Sequence, residues 1–261
     1  MALLPVHLPI LMYHQIMPES DPHFKKHIAV DPAVLRQQIR ALQNEGWKFV
    51  TLEEYFVASA RGPKVAVITF DDITANFTRY AAPVLEELGV RANVFPIQNM
   101  TTGKAFHNLK PEGVEALTEA ELLELHRKGH ALGSHCQSHQ NLRKISFSDA
   151  RQELAESKAW LEGITGERIQ TICYPIGGVD RDIVEAARSL GYTIGVSTLK
   201  GTLQFLEADR MTLRRVNIKN DTRGSQLLKS VGPFYGFRRL LTRPFRAKYR
   251  VSERHPSFKK N

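Results

Sequence analysis

The residues best equipped for chemistry sit in three short stretches. Thr69-Phe-Asp-Asp72 closes the β-rich run Lys64–Phe70. Two adjacent carboxylates at a strand end repel each other and resist desolvation, and a nearby cation would relieve both costs. One carboxylate could bind the cation while its neighbour accepts a proton; the alternative is an Asp pair capping the next helix. Ser134-His-Cys-Gln-Ser-His139 sets two histidines at i and i+4. In helical or turn geometry they share one face and can grip one ion, unless both simply face solvent. An Asp-His-His set with open positions suits a catalytic divalent ion. Neutral imidazole and carboxylate fit Zn2+, with other transition metals left open. The third stretch, Tyr174-Pro-Ile-Gly-Gly178, is a strand end followed by a Pro/Gly loop. It is either a plain turn or one that aims a backbone N–H at an oxyanion.

Something must carry these stretches to one place. Strand-like runs at Leu8–Tyr13, Lys64–Phe70, Arg91–Phe95, His130–Ser134, Thr171–Tyr174, Thr193–Ser197 and Leu213–Ile218 alternate with helical patterns. The helices are read at Pro32–Glu45, Arg79–Leu88, Thr118–Lys128, Ser148–Gly163 and Asp180–Leu190, several of them stopped by glycine. Thr51 with Glu54, Thr118 with Glu121 and Ser146 with Asp149 supply N-terminal capping signals. About seven strand–helix units predict a mostly parallel α/β fold, a distorted barrel. In such folds the C-terminal strand ends gather the chemistry, and all three stretches lie at such ends.

The 261-residue length allows one α/β barrel or two small domains, and 42% hydrophobic with 24% charged residues is ordinary globular composition. No run of 18 apolar residues predicts a membrane span, and Met1–His7 does not read as a signal peptide, so a cytoplasmic location is expected. Cys136 and Cys173 form no disulfide framework and read as small buried residues beside the candidate site. The net charge of +9 is uneven: residues 223–261 hold eleven Lys/Arg against Glu253 alone, leaving 1–222 at −1. That tail interleaves the cations with Phe234, Tyr235, Phe237, Phe245, Tyr249 and Phe258. It suits attachment to an anionic membrane surface, the inner face if the protein is cytoplasmic, or a solvated arm. Nucleic acid is not expected as a partner of a body without net positive charge. The chain divides into a catalytic domain, 1–222, and a basic extension, 223–261.

In order, spacing and context these features resemble the NodB-like polysaccharide deacetylases (carbohydrate esterase family 4), from about Leu8 to Ile218. The similarity includes Ala82–Phe95 and Leu122–Leu142, the latter holding GHALGSHCQSHQNL. It is nearest the permuted branch that opens on a Leu-Met-Tyr-His strand, here Leu11–His14. The resemblance implies a NodB-homology fold, a distorted (β/α)7-type barrel, and metal-dependent removal of an N-acetyl group from an amino sugar in a glycan, glycolipid or precursor of cell-surface polysaccharide such as lipopolysaccharide. It implies Asp71 as general base, Asp72, His135 and His139 as ligands of one divalent ion, Zn2+ first, and His14 as general acid. On its own residue type, His14 reads as a half-buried strand histidine. Tyr174, Pro175, Ile176 and Gly177 become the substrate loop, with the Ile176 N–H facing the oxyanion. Four positions depart from the pattern. Ile73 stands where Gly is usual, which would narrow the pocket or tilt its loop. The arginine that orients the base is missing, with Cys173 in its place. Ile176 replaces an aromatic, and no Leu-x-His occurs near the C-terminus. The rival expectations are a deformylase or amidase acting on a lipid-linked sugar and a non-catalytic carbohydrate-binding relative.

Overall fold

The computed structural model describes residues 5–57, 62–104, 115–205 and 210–235. Seven parallel strands form its centre: β1 (Ile10–Tyr13), β2 (Val65–Asp71), β3 (Asn93–Phe95), β4 (Ala131–Leu132), β5 (Thr171–Cys173), β6 (Ile194–Lys200) and β7 (Leu213–Asn217). They pair in the order β4-β3-β2-β1-β7-β6-β5. A parallel bridge from Ser134, just past β4, to Ile172 of β5 closes the ring. It rests on Ser134 N–H to Thr171 O (2.9 Å) and Cys173 N–H to Ser134 O (2.8 Å). The expected distorted (β/α)7 barrel is therefore the fold; its distortion lies where the two-residue β4 meets β5.

Helices α1 (Pro32–Asn44), α2 (Leu52–Phe56), α3 (Ala82–Glu87), α4 (Glu119–Arg127), α5 (Phe147–Thr165) and α6 (Arg181–Ser189) fill the connections. Asp31 caps α1, with Pro32 at the first helical position, where its missing N–H costs nothing. Thr51 with Glu54 and Thr118 with Glu121 form complete capping boxes, while Ser146 caps α5 alone. The helix expected over 79–88 is split: a π-turn, Phe77–Ala81, precedes α3. It begins five residues after Asp72, and π-turns recur near functional sites.

Side-chain alternation sorts the strands into two cores. Leu11, Tyr13, Ile68, Phe70, Val94, Ile172 and Val216 face the helices in the larger core. Ile10, Val65, Val67, Phe95, Cys173, Ile194, Val196 and Leu213 share a second core with Leu52 and Tyr55 of α2, which plugs one end of the barrel. The same parity sends Thr69, Asp71 and Arg215 inward, above that apolar layer.

The segment read as a basic extension begins with structure the sequence reading missed. Helix α7 (Gly224–Val231) packs on α1 and buries Leu227 and Val231. His7 Nε2 lies 2.9 Å from Val231 O. The packed body thus runs past residue 222 to Tyr235. Residues 236–261, with Phe237, Phe245, Tyr249 and Phe258, lie outside the described residues. Among the described residues no helix is long and apolar enough to cross a membrane.

Candidate active site

Asp71 ends β2 with its side chain inside the barrel. A further extended residue would send its side chain outward, but Asp72 adopts a left-handed conformation (φ 53°). That turn delivers the second carboxylate to the same mouth. Gln15 holds the turn, donating from Nε2 to Asp72 O (2.8 Å) while its Oε1 accepts from Thr74 Oγ1 (2.9 Å). Ile73 points away and is buried in the outer core, so, against the expectation of a narrowed pocket, its side chain does not enter the mouth.

His135 and His139 arrive on a loop rather than a helix, with left-handed residues at Cys136 (φ 64°) and His139 (φ 59°). His135 Nδ1 lies 2.7 Å from Cys173 O; as donor there, it leaves Nε2 free for the mouth. Both Nε2 atoms converge on Asp72 Oδ1, at 3.2 Å from His135 and 3.3 Å from His139. Neither contact is an aligned hydrogen bond, so Asp72 Oδ1 is a buried acceptor without a partner. Such separations match the edge of a tetrahedron whose metal–ligand bonds are about 2.0–2.1 Å. One carboxylate oxygen and two imidazole nitrogens, within 4.8 Å of one another, thus fit a divalent ion. Burial pushes His139 down to about 4, helped by the charge of His135, which keeps it a neutral ligand at pH 7. Burial opposes ionisation of Asp72, but the contact with His135 and the positive potential of its imidazole outweigh it and hold the Asp72 carboxyl below the usual range.

A second group, Asp71, His135 and Cys173, also lies close together. Its place is taken by Arg215 of β7. Nη1 and Nη2 grip Asp71 Oδ1 and Oδ2 at 2.6 and 2.7 Å. Nη1 also donates to Thr69 Oγ1 (3.1 Å), Nη2 to Cys173 Sγ (3.3 Å) and Nε to Ser197 O (2.9 Å). All five N–H donors of this 1% exposed guanidinium are satisfied. Burial alone would raise the Asp71 carboxyl; the charge and hydrogen bonds of Arg215 outweigh it and hold Asp71 well below the carboxylate range. The arginine called missing is thus present, supplied by another strand, and Cys173 is one of its acceptors. Its signal was Arg214-Arg215 side by side in one strand: in a closed barrel one of the two must face inward.

His14 lies half-buried between β1 and the short strand Gln15–Ile16, close enough to Asp71, Asp72 and His139 to interact with all three. The Pro175–Gly177 turn holds Ile176 at φ 56° with its side chain 60% exposed at the rim. Gly177 and Gly178 N–H close that turn on Tyr174 O (3.0 Å) and Pro175 O (2.9 Å). Tyr174 is buried beneath it. A third residue missed from sequence is Glu153 of α5, which accepts hydrogen bonds from the histidine loop.

A parallel α/β barrel with an Asp-Asp pair and two histidines at its mouth defines a hydrolase of the polysaccharide deacetylase type. The chain belongs to that family: the polysaccharide deacetylase family model matches residues 58–195. It is a hydrolase acting on carbon–nitrogen bonds. YxkH of Bacillus subtilis (strain 168) is 27% identical over 225 residues, covering 85% of this chain and 75% of YxkH. The poly-beta-1,6-N-acetyl-D-glucosamine N-deacetylase of Staphylococcus aureus (strain MRSA252) is 28% identical over 184 residues, covering 66% of this chain and 62% of that protein. The solved structure of Streptococcus pyogenes deacetylase PplD in complex with acetate superposes with a TM-score of 0.77 at 26% identity, covering 88% of this chain and 100% of PplD.

Proposed function

We propose that this chain hydrolyses the N-acetyl group of an N-acetylated amino sugar in a glycan or glycan precursor, using one divalent ion, Zn2+ first, held by Asp72, His135 and His139. The observation that carries this is the convergence of Asp72 Oδ1 on two imidazole nitrogens beside a second carboxylate that stays ionised. When bound, the ion supplies Lewis-acid polarisation of the acyl carbonyl and makes water more acidic. Asp71 accepts the proton of the attacking water. Arg215 takes one lone pair from each carboxylate oxygen and leaves the others available. The Ile176 N–H, which is not among the amides closing its turn, faces the developing oxyanion. His14 protonates the departing amine. The amino-sugar substrate is supported by the activity named for the Staphylococcus aureus relative, of which this chain spans 62%.

The test combines elemental analysis of the purified protein with hydrolysis of a panel of N-acetylated sugars, oligosaccharides and glycolipids. Acetate release that stops with a chelator and returns with Zn2+ is expected. Asp71→Asn should keep the ion and lose turnover by about 100-fold or more, and His14→Gln should do the same more mildly. Formate release would instead identify a deformylase. Full activity of Asp71→Asn, or metal content unchanged in both His135→Ala and His139→Ala, would reject the assignment.

A further inference from the structure

The loop that carries both histidines is pinned from behind by one buried acid. Glu153 lies on α5, only 5% exposed. Its Oε2 accepts from Gln137 N–H and Ser138 N–H, both at 2.8 Å, and its Oε1 accepts a close hydrogen bond from Ser138 Oγ. One turn along α5, Ser157 Oγ lies 2.6 Å from Ser134 Oγ, which in turn accepts from Cys136 N–H at 3.1 Å. Three consecutive amides between the histidines are thus fixed by side chains. On the other side, Asn99 N–H donates to Gln137 O at 2.9 Å.

The loop needs this restraint. Cys136 and His139 both hold left-handed backbones, at a cost of about 1–2 kcal/mol each for a residue with a Cβ. Without an external hold, relaxation of either residue would swing His139 away from Asp72. Among the described residues Glu153 forms no ion pair, so its burial is compensated by these N–H and O–H donors rather than by a counter-charge. A buried acid without a cation is rare where it serves packing alone.

We propose that Glu153 is a positioning residue that sets the geometry of the His135–His139 loop and thereby the affinity of the site for its divalent ion. This rests on the ion site proposed above. Glu153 acts through the shape of the loop, so an uncharged isostere should serve: in Glu153→Gln the amide oxygen can accept both N–H groups and the amide nitrogen can donate to Ser138 Oγ. Glu153→Ala removes all three bonds.

The experiment is a Zn2+ titration of ion-stripped full-length protein against a chromophoric chelator, with circular dichroism to establish that each variant is folded. Residues behind metal ligands affect affinity by about 10–100-fold, and a loss in that range is expected for Glu153→Ala. Glu153→Gln should stay near wild type, and saturating Zn2+ should restore turnover to Glu153→Ala. A folded Glu153→Ala that binds Zn2+ as tightly as wild type overturns the proposal, as does Glu153→Gln binding as weakly as the alanine variant. Should Glu153→Ala not fold, Ser138→Ala decides: weaker binding supports the proposal and unchanged binding overturns it. A wild type that binds no better than His139→Ala would overturn the ion site itself, and is distinct from equal, tight binding by wild type and Glu153→Ala.

Discussion

Replacing Arg215 by methionine should be among the most destabilising single changes available in this barrel, and the reason is the carboxylate it leaves behind. Asp71 is 3% exposed and Arg215 1%, joined by two short charge-assisted hydrogen bonds. Removing one partner of a buried pair costs about 3–5 kcal/mol, because the survivor keeps its desolvation penalty without compensation. For a chain of this size each kcal/mol moves the melting temperature by about 2–4 °C, so Arg215→Met should melt about 6–20 °C lower. The double variant Asp71→Leu/Arg215→Met removes both charges and should recover part of that loss. The shortfall is about 1–3 kcal/mol for Ser197 O, which loses its Nε donor. Arg215→Lys should rescue poorly, since one ammonium cannot span both carboxylate oxygens. Thermal and urea unfolding of wild type, both singles and the double, all in chelator, isolates this coupling from any ion effect. Arg215→Met melting within about 3 °C of wild type would refute the reasoning. So would a double variant no more stable than the arginine single.

His130 accepts a hydrogen bond from Ala92 N–H at 3.2 Å, and burial first, then Lys128 and Arg91, push it down to about 4. The unfolded chain takes up a proton near pH 6.5 while the folded one does not, so stability falls as pH drops from about 6.5 to about 4, by at most about 3 kcal/mol. His130→Asn keeps an acceptor and cannot titrate, and urea unfolding across that window should show a flatter profile; an unchanged profile would discount His130. Gln15→Met strands Asp72 O and Thr74 Oγ1 and should cost about 1–3 kcal/mol by urea unfolding, with no loss counting against the clamp. Residues 223–261 are proposed to attach the protein to an anionic membrane surface. In flotation with phosphatidylserine vesicles the full chain should partition more than one ending at Tyr235, which keeps α7 in place, and equal partitioning would end that idea.

The ring of strands was legible because each is an apolar or β-rich run, and most are followed by a helical pattern with a glycine or a capping residue at its boundary. Asp72, His135 and His139 were legible because residue types that a core rejects recur at strand ends. Arg215 was not, because an arginine motif is recognised by its position along the chain, whereas a closed barrel brings every inward side chain to the same interior. β5 and β7 flank β6, so a side chain starting from β7 reaches the carboxylate that one at Cys173 would have reached. The α7 helix was hidden because it is short and opens the strongly basic C-terminal segment: Leu227 and Val231 are two buried apolar positions in eight residues, and only α1 opposite them makes their spacing meaningful. A missing motif residue in such a fold is therefore weak evidence of lost function until every inward position has been read.

Backbone strain was the part least visible in the sequence. Among the described residues, the non-glycine positions with left-handed φ are Asp72, Cys136, His139 and Ile176, all in the three loops of the mouth. Residue type argues against that conformation at Ile176 above all, since a β-branched side chain crowds it. At Asp72 the conformation aims a carboxylate, and at Cys136 and His139 it turns the histidine loop. At Ile176 it presents an apolar side chain to solvent, where packing gives nothing back. Each of these backbones costs about 1–3 kcal/mol and persists only where its surroundings over-determine it. Gln15 does so for Asp72 and Glu153 for the histidine loop, through side chains that are both buried. The mouth of the barrel is therefore held in shape before any ligand arrives, and its donors are set by polar side chains one layer back.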